Sequence, residues 1–166
     1  MKKTLEQING CSREQFVDFL GAIFEHSPWV AAAAFSSLPF PSVDVLHKTM
    51  INIVRESRVE AIVDLFRAHP DLGTRLAVAE FSSQEQQSAG LDQLSAEEYE
   101  KFHALNQTYV RTFGFPFILA VRGRTKEDIV AAMNTRLWHT ASEEAEQALL
   151  EIEKISGFRL RELLIE

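Results

Sequence analysis

Apolar positions recur at three- and four-residue spacing along nearly the whole chain, which is the period of amphipathic helices. Start signals stand ahead of most of these stretches. Ser12-Arg13-Glu14-Gln15 reads as a capping box, in which a hydroxyl and a side chain three residues on satisfy each other's backbone N–H groups. It opens a predicted helix with Phe16, Phe19, Leu20 and Ile23 on one face. Ser27-Pro28 sets a cap before a proline, which has no N–H to lose in a first helical turn. Trp29, Val30 and an alanine run follow, as far as the stop at Leu38-Pro39-Phe40-Pro41. Ser42 caps the next predicted helix, with Val43, Leu46, Met50, Ile53 and Val54 inward. Ser57-Arg58-Val59-Glu60 reads as another capping box, ahead of a core stripe of Val59, Ile62, Val63 and Phe66. That helix ends near Ala68, because a residue preceding proline is pushed out of the α region.

Further along, Ser95-Ala96-Glu97-Glu98 caps a predicted helix carrying Tyr99, Phe102, Leu105, Tyr109 and Phe113, which Gly114 and Pro116 break. Phe117-Ile118-Leu119-Ala120-Val121 has the composition of a strand but no second strand to pair with, so it reads as a buried irregular or helical connector. Thr125-Lys126-Glu127-Asp128 opens a helix to about Trp138, and Ser142 or a neighbour opens the last, with Ile152, Ile155, Leu160 and Leu163 inward. No repeat, low-complexity tract or linker interrupts this pattern. The expectation is an all-α, single-domain compact bundle of about seven to nine helices over residues 1–166.

Composition narrows the class. With 46% apolar and 25% charged residues, the chain of 166 residues has the make-up of an ordinary soluble domain able to bury a core. A net charge of −7 and the lack of a basic block argue against nucleic acid and against an anionic membrane surface. The apolar runs are too short to span a bilayer, and no apolar stretch follows Lys2-Lys3 as a signal peptide would require. Cys11 is the single cysteine, which excludes an internal disulfide and a cysteine metal cage. The expected setting is cytoplasmic.

One stretch departs from the helical pattern: Ala68–Leu91 packs histidine, carboxylate, amide and hydroxyl into a segment with a proline and two glycines. His69 stands in an exposed-looking turn at a helix C-terminus, where the dipole favours imidazolium; a histidine there also serves as a plain cap. Ser82-x-x-Glu85 is a capping box by spacing, yet a carboxylate near a helix start stays ionised. A charged histidine and a charged carboxylate on adjacent turns form a usable acid–base pair. Gln86 adds an amide that donates and accepts, which suits a heterocyclic ureide better than a hydrocarbon. Arg159, between Phe158 and Leu160, is either a solvated residue or, if turned inward, a fork for a carboxylate. Arg136 and Arg161 are less specific. Gly114–Ile118 is either core filler at a helix break or a pocket wall with backbone N–H groups facing a ligand. His26, His47, His103 and His139 show no metal spacing, and no phosphate loop, dinucleotide fingerprint or nucleophile elbow occurs. By elimination the site is metal-free and cofactor-free. The residues alone leave open an enzyme or a helical module that binds a ureide or a partner helix.

Several strings considered together carry more. FEHSPWV (Phe24–Val30), AHPDLG (Ala68–Gly73), the run from Ser82 to Leu91, LNQTYVRTFGFPFILAVRG (Leu105–Gly123) and FRLREL (Phe158–Leu163) occur in order across nearly the whole chain. In this the chain resembles the OHCU decarboxylases, which act on 2-oxo-4-hydroxy-4-carboxy-5-ureidoimidazoline (OHCU) in urate breakdown. The resemblance implies an all-α homodimer that releases CO2 from OHCU to give (S)-allantoin without metal or organic cofactor. Carried over by position, it implies His69 as the catalytic residue. Pro70, Ser82, Glu85, Gln86, the Phe117–Ile118 backbone and Arg159 would line the substrate. An earlier hydrolase of the same pathway is not supported, because the His-Pro turn and the S-x-x-E-Q pair follow the decarboxylase pattern.

Overall fold

The structure, a computed structural model, describes residues 1–72 and 80–166, without the side chains of residues 80–83. Nine α-helices lie among the described residues: α1 (Leu5–Asn9), α2 (Arg13–Leu20), α3 (Trp29–Ala34), α4 (Val43–Arg55), α5 (Val59–Ala68), α6 (Glu80–Ser88), α7 (Ala96–Phe113), α8 (Lys126–Arg136) and α9 (Ala141–Leu163). Two-residue strands β1 (Lys3–Thr4) and β2 (Leu164–Ile165) pair in parallel, Lys3 opposite Leu164. The chain divides into two compact units, residues 1–68 with 153–166, and residues 69–152. The all-α expectation holds. None of the helices among the described residues is long and apolar enough to cross a membrane.

In the first unit the predicted caps form where the N-cap hydroxyl reaches the third backbone N–H. Ser12 and Gln15 satisfy each other at 3.2 and 3.0 Å, and Ser42 accepts from Val45 N–H at 3.2 Å. Thr4 and Gln7 add a box that opens the short α1. α3 packs against α2 and α4, and Phe16 is buried with Phe35 and Phe40 against its ring. Asn9 clamps the backbone of Phe40 from both sides, donating to its carbonyl at 2.9 Å and accepting its N–H at 2.8 Å.

Two caps differ from expectation. The Ser27 hydroxyl turns back to the Glu25 carbonyl (2.8 Å), leaving Pro28 as the unassisted cap of α3. Ser57 likewise donates backwards, to the Ile53 carbonyl (2.6 Å), and Ile62 N–H bonds to Arg58, so the cap of α5 is Arg58 rather than Ser57. The stripe of α5 also shifts. Val59 is 71% exposed, and Leu65 and Phe66 carry the burial, because the period assigns a face but not which turns meet a neighbour. On α4, Ile51 is buried where Ile53 was expected.

α4 and the last turns of α9 meet closely at Gly157. A Cβ there would come within 3.1 Å of His47 Cε1 and 3.2 Å of the Arg161 guanidinium, so glycine permits the approach. The Ser156 hydroxyl donates to the Glu153 carbonyl (3.1 Å) and accepts from His47 Nε2 (2.9 Å). Burial holds the His47 imidazole below its ordinary pKa, aided by Arg161 and opposed by the carboxylates of Glu153 and Asp44.

In the second unit, Ser95 with Glu98, Thr125 with Asp128 and Thr140 with Glu143 form capping boxes at α7, α8 and α9. The last lies two residues ahead of Ser142. Glu98 also pairs with Lys126 (2.9 Å), tying α7 to α8. α7 ends on Gly114 in the left-handed region, φ +82°. Residues 117–121 are buried and form neither helix nor strand, so of the two readings of this connector, irregular or helical, the irregular one holds.

A histidine whose pKa is lowered by folding contributes stability that is present above the unfolded value and lost as the pH falls through it. Acidification from pH 7.5 to 5.5 should therefore lower the thermal midpoint, through the window below about 6.5. The slope should flatten in His47→Gln; identical slopes in the two proteins would show that His47 is not the group responsible.

Candidate active site

His69 follows the last residue of α5 and begins the second unit. Only 9% of it is exposed, so the turn is not the open one its sequence suggested. Pro70 and Asp71 behind it are half-buried, and Leu72 is buried. Burial pushes the Asp71 carboxyl above its ordinary pKa, with His103 opposing. The turn is tethered from α7: Asn106, 2% exposed, donates its amide to the Leu72 carbonyl at 3.1 Å. Gly73, expected to complete the turn, lies outside the described residues.

α6 begins at Glu80, which places Ser82 inside the first turn instead of ahead of it. Ser82 therefore does not hold the N-cap position, because an N-cap precedes the first helical residue. The Ser82 side chain lies outside the described residues. Glu85 stands past the middle of the helix, beyond the first turn where the N-terminal dipole acts. It is half-buried and Gln86, next to it, is buried. The helix closes with Ala89 N–H on the Glu85 carbonyl, before Gly90 at φ +76°.

Phe117 and Ile118 are almost wholly buried, and a cationic side chain holds their main chain. Arg136, the last residue of α8 and 5% exposed, donates from Nη1 to the Ile118 carbonyl at 2.5 Å. Its guanidinium carbon lies 4.2 Å from the centre of the Phe117 ring, a cation–π contact. Its Nε donates to Glu144 Oε1 at 2.6 Å, and Nη2 pairs with the same oxygen. Glu144 has no exposed surface. The Tyr109 hydroxyl donates to it at 2.5 Å and His139 Nδ1 meets its second oxygen at 3.0 Å. Burial, then the hydrogen bond and charge of Glu144, push the Tyr109 pKa far up, so the phenol stays a donor. One turn-length along the segment, Ala120 N–H donates to the buried Glu151 at 3.0 Å, whose other oxygen accepts from Gln147.

Arg159 belongs to the first unit and is 2% exposed, so it points inward. It pairs with a carboxylate, and that carboxylate is the chain's own Glu25: Nη2 to Oε2 is 3.0 Å, and Nη1 donates to the Ile23 carbonyl at 3.2 Å. Beside Glu25, His26 holds φ +45°, a conformation that non-glycine residues rarely adopt.

Sequence reasoning missed Glu25, Asn106, Glu144 and Glu151 and undervalued Arg136. A signal existed for three of them. Asn106 lies between Phe102 and Tyr109, Arg136 three after Met133, and Glu144 four before Ala148, all at positions where the helical period calls for an apolar residue.

The sequence model described as OHCU decarboxylase matches residues 9–161, nearly the whole chain and residues of both units. The chain belongs to the OHCU decarboxylase family. A 2-oxo-4-hydroxy-4-carboxy-5-ureidoimidazoline decarboxylase from Haloferax volcanii is 47% identical over 159 residues, covering 96% of this chain and 95% of that protein. One of the same name from Halalkalicoccus jeotgali is 44% identical over 162 residues, covering 98% and 92%. Among solved structures, the crystal structure of an (S)-allantoin synthase superposes with a TM-score of 0.80 at 32% identity, covering 98% of this chain and 54% of that one. Within this OHCU decarboxylase family member, the matched residues 9–161 include His69, Glu85, Gln86, Phe117, Ile118 and Arg159.

Removing one member of a buried ion pair leaves the other charge unpaired. Arg159→Ala or Glu25→Ala should lower the unfolding free energy by about 3–5 kcal/mol, while the double change to leucine recovers most of it. Urea denaturation of the three variants decides this; a double variant as unstable as the singles would show the pair is not the cause.

Proposed function

We propose that this chain decarboxylates OHCU to (S)-allantoin and CO2 in urate degradation, with His69 as general acid–base residue assisted by Glu85. The observation that carries the reading is family membership across residues 9–161, which include the His69 turn and the Glu85-Gln86 pair. The activity itself, a carboxy-lyase acting on OHCU, follows from the family. The assignment of proton transfer to His69 and Glu85 is the finer part of the proposal.

The reaction asks little of an external group. When the C4 carboxylate leaves as CO2, its electron pair moves into the adjacent C=N group of the substrate itself, so no metal or organic electron sink is required. The resulting planar species has two faces that are equivalent in water, and spontaneous protonation gives both enantiomers. An enzyme that yields (S)-allantoin must present its proton donor to one face only. His69 performs this transfer, at the 4-hydroxyl or at the ring carbon, and Glu85 orients its imidazole. Burial of His69 supports such a role, since a proton donor shielded from water exchanges with substrate instead of solvent. Arg159 is assigned to the substrate carboxylate. Ser82, Gln86 and the Phe117–Ile118 main chain are assigned to the ureido and ring carbonyls, and Pro70 lines the site beside them, holding a near-attack geometry. The same reading takes the chain as one functional domain, cytoplasmic and homodimeric.

Circular dichroism tests the activity, using urate freshly oxidised in the presence of hydroxyisourate hydrolase. Wild-type protein should speed loss of the OHCU signal and build up (S)-allantoin, and His69→Ala or Glu85→Ala should slow this about 100-fold or more. No change beyond spontaneous decay would leave a ureide-binding module as the function; full turnover in both variants would keep the activity and remove this mechanism. Sedimentation equilibrium should give twice the 18.8 kDa chain mass; a monomer at micromolar concentration would exclude the dimer.

A further inference from the structure

We propose that Arg136, set by Glu144, is a positioning residue for the substrate-binding main chain at Ile118; this rests on the reading that the Phe117–Ile118 backbone meets the substrate. Residues 117–121 have no helix or strand ladder to define their peptide planes. Their direction must come from side chains, and two hydrogen bonds supply it. Arg136 Nη1 holds the Ile118 carbonyl at 2.5 Å, and Glu151 accepts the Ala120 N–H at 3.0 Å. The Arg136 head is also laid over the Phe117 ring. Fixing the Ile118 carbonyl and the Phe117 ring leaves the Ile118 N–H between them little freedom to turn.

The guanidinium itself is immobilised. Glu144 takes two of its nitrogens on one oxygen, and the Tyr109 hydroxyl and His139 Nδ1 fix that carboxylate in turn. A buried ion pair is a poor stabiliser compared with apolar side chains of the same volume, so what it contributes is direction. A cation on the Ile118 carbonyl further polarises the peptide it belongs to, strengthening the donors of the segment. Arg136 touches no reacting atom in this scheme. Its effect is on how well the main chain meets the substrate, and through that on which face is presented to the proton donor.

The sequence allows a direct readout, because it contains a single Phe-Ile and a single Ile-Leu dipeptide, at 117–118 and 118–119. Labelling carbonyl carbons of Phe with nitrogens of Ile, or of Ile with nitrogens of Leu, gives one NMR cross-peak for each peptide bond. In the wild type, titration with (S)-allantoin should shift the Phe117–Ile118 peak. In Arg136→Lys the Ile118–Leu119 peak should move in the free protein and the response to (S)-allantoin should shrink. KM should rise about tenfold or more, with kcat per folded molecule nearly kept and the (S) excess of the allantoin reduced. Tyr109→Phe, which keeps the ring and removes one donor to Glu144, should move both quantities the same way by about threefold, and carries the test if Arg136→Lys does not fold. A wild-type Phe117–Ile118 peak indifferent to (S)-allantoin would remove the main-chain subsite and this proposal with it. A responsive wild type with folded variants of unchanged KM and unchanged (S) excess would leave the subsite standing and overturn the role of Arg136.

Discussion

A carboxylate wholly removed from water governs the second unit. Glu144 is tolerated there only because its oxygens are occupied, since an unpaired buried charge costs several kcal/mol or, more commonly, does not stay charged. The occupants come from three different places: Tyr109 from α7, Arg136 from the end of α8, and His139 from the turn before α9. Each element is therefore located by the same two oxygen atoms. What remains of Arg136 reaches a stretch of the unit that has no ladder of its own, residues 117–121. Secondary structure there is replaced by charge.

The first unit uses a similar device. Arg159 lies between the Glu25 carboxylate and the Ile23 carbonyl, as Arg136 lies between the Glu144 carboxylate and the Ile118 carbonyl. In both, a planar cation with several fixed donors binds one acidic side chain and one isoleucine main chain, a task that lysine, a point charge on a flexible stem, performs less well. In both, the main chain so held belongs to an irregular connection, following α2 in one case and α7 in the other.

Much of the fold was legible because capping chemistry is local. A serine or threonine three residues ahead of an acid or amide specifies a helix start with no knowledge of the rest of the chain, and Ser12, Ser95 and Thr125 do so. The same spacing misled at Ser57, whose hydroxyl turns back to the Ile53 carbonyl, and at Ser82, whose backbone lies within the first turn of α6. Burial is not local, and Val59 shows it: a residue on the right face can still have nothing opposite it. For the candidate site, the inward arginine was foreseen as a possibility, whereas its partner Glu25, distant in sequence, was not. Asn106, Arg136 and Glu144 each stand at an apolar position of the helical period, and there a polar residue marks a buried polar contact. The burial of His69 depends on the packing of its turn, which no dipeptide can report.

The discontinuity of the first unit has a consequence for how the chain matures. Residues 69–152 form a contiguous segment, while the unit around them is made from the first 68 residues and the last 14. Glu25 and Arg159 are 134 residues apart. At about 5–20 residues per second, a ribosome adds Arg159 about 7–27 s after Glu25. Residues 69–152 are all synthesised before residues 153–166 of the first unit. Until the ribosome has added Arg159, Glu25 cannot form the ion pair that accompanies its burial, so synthesis of the last helix, rather than growth of the N-terminal ones, is the event that permits it.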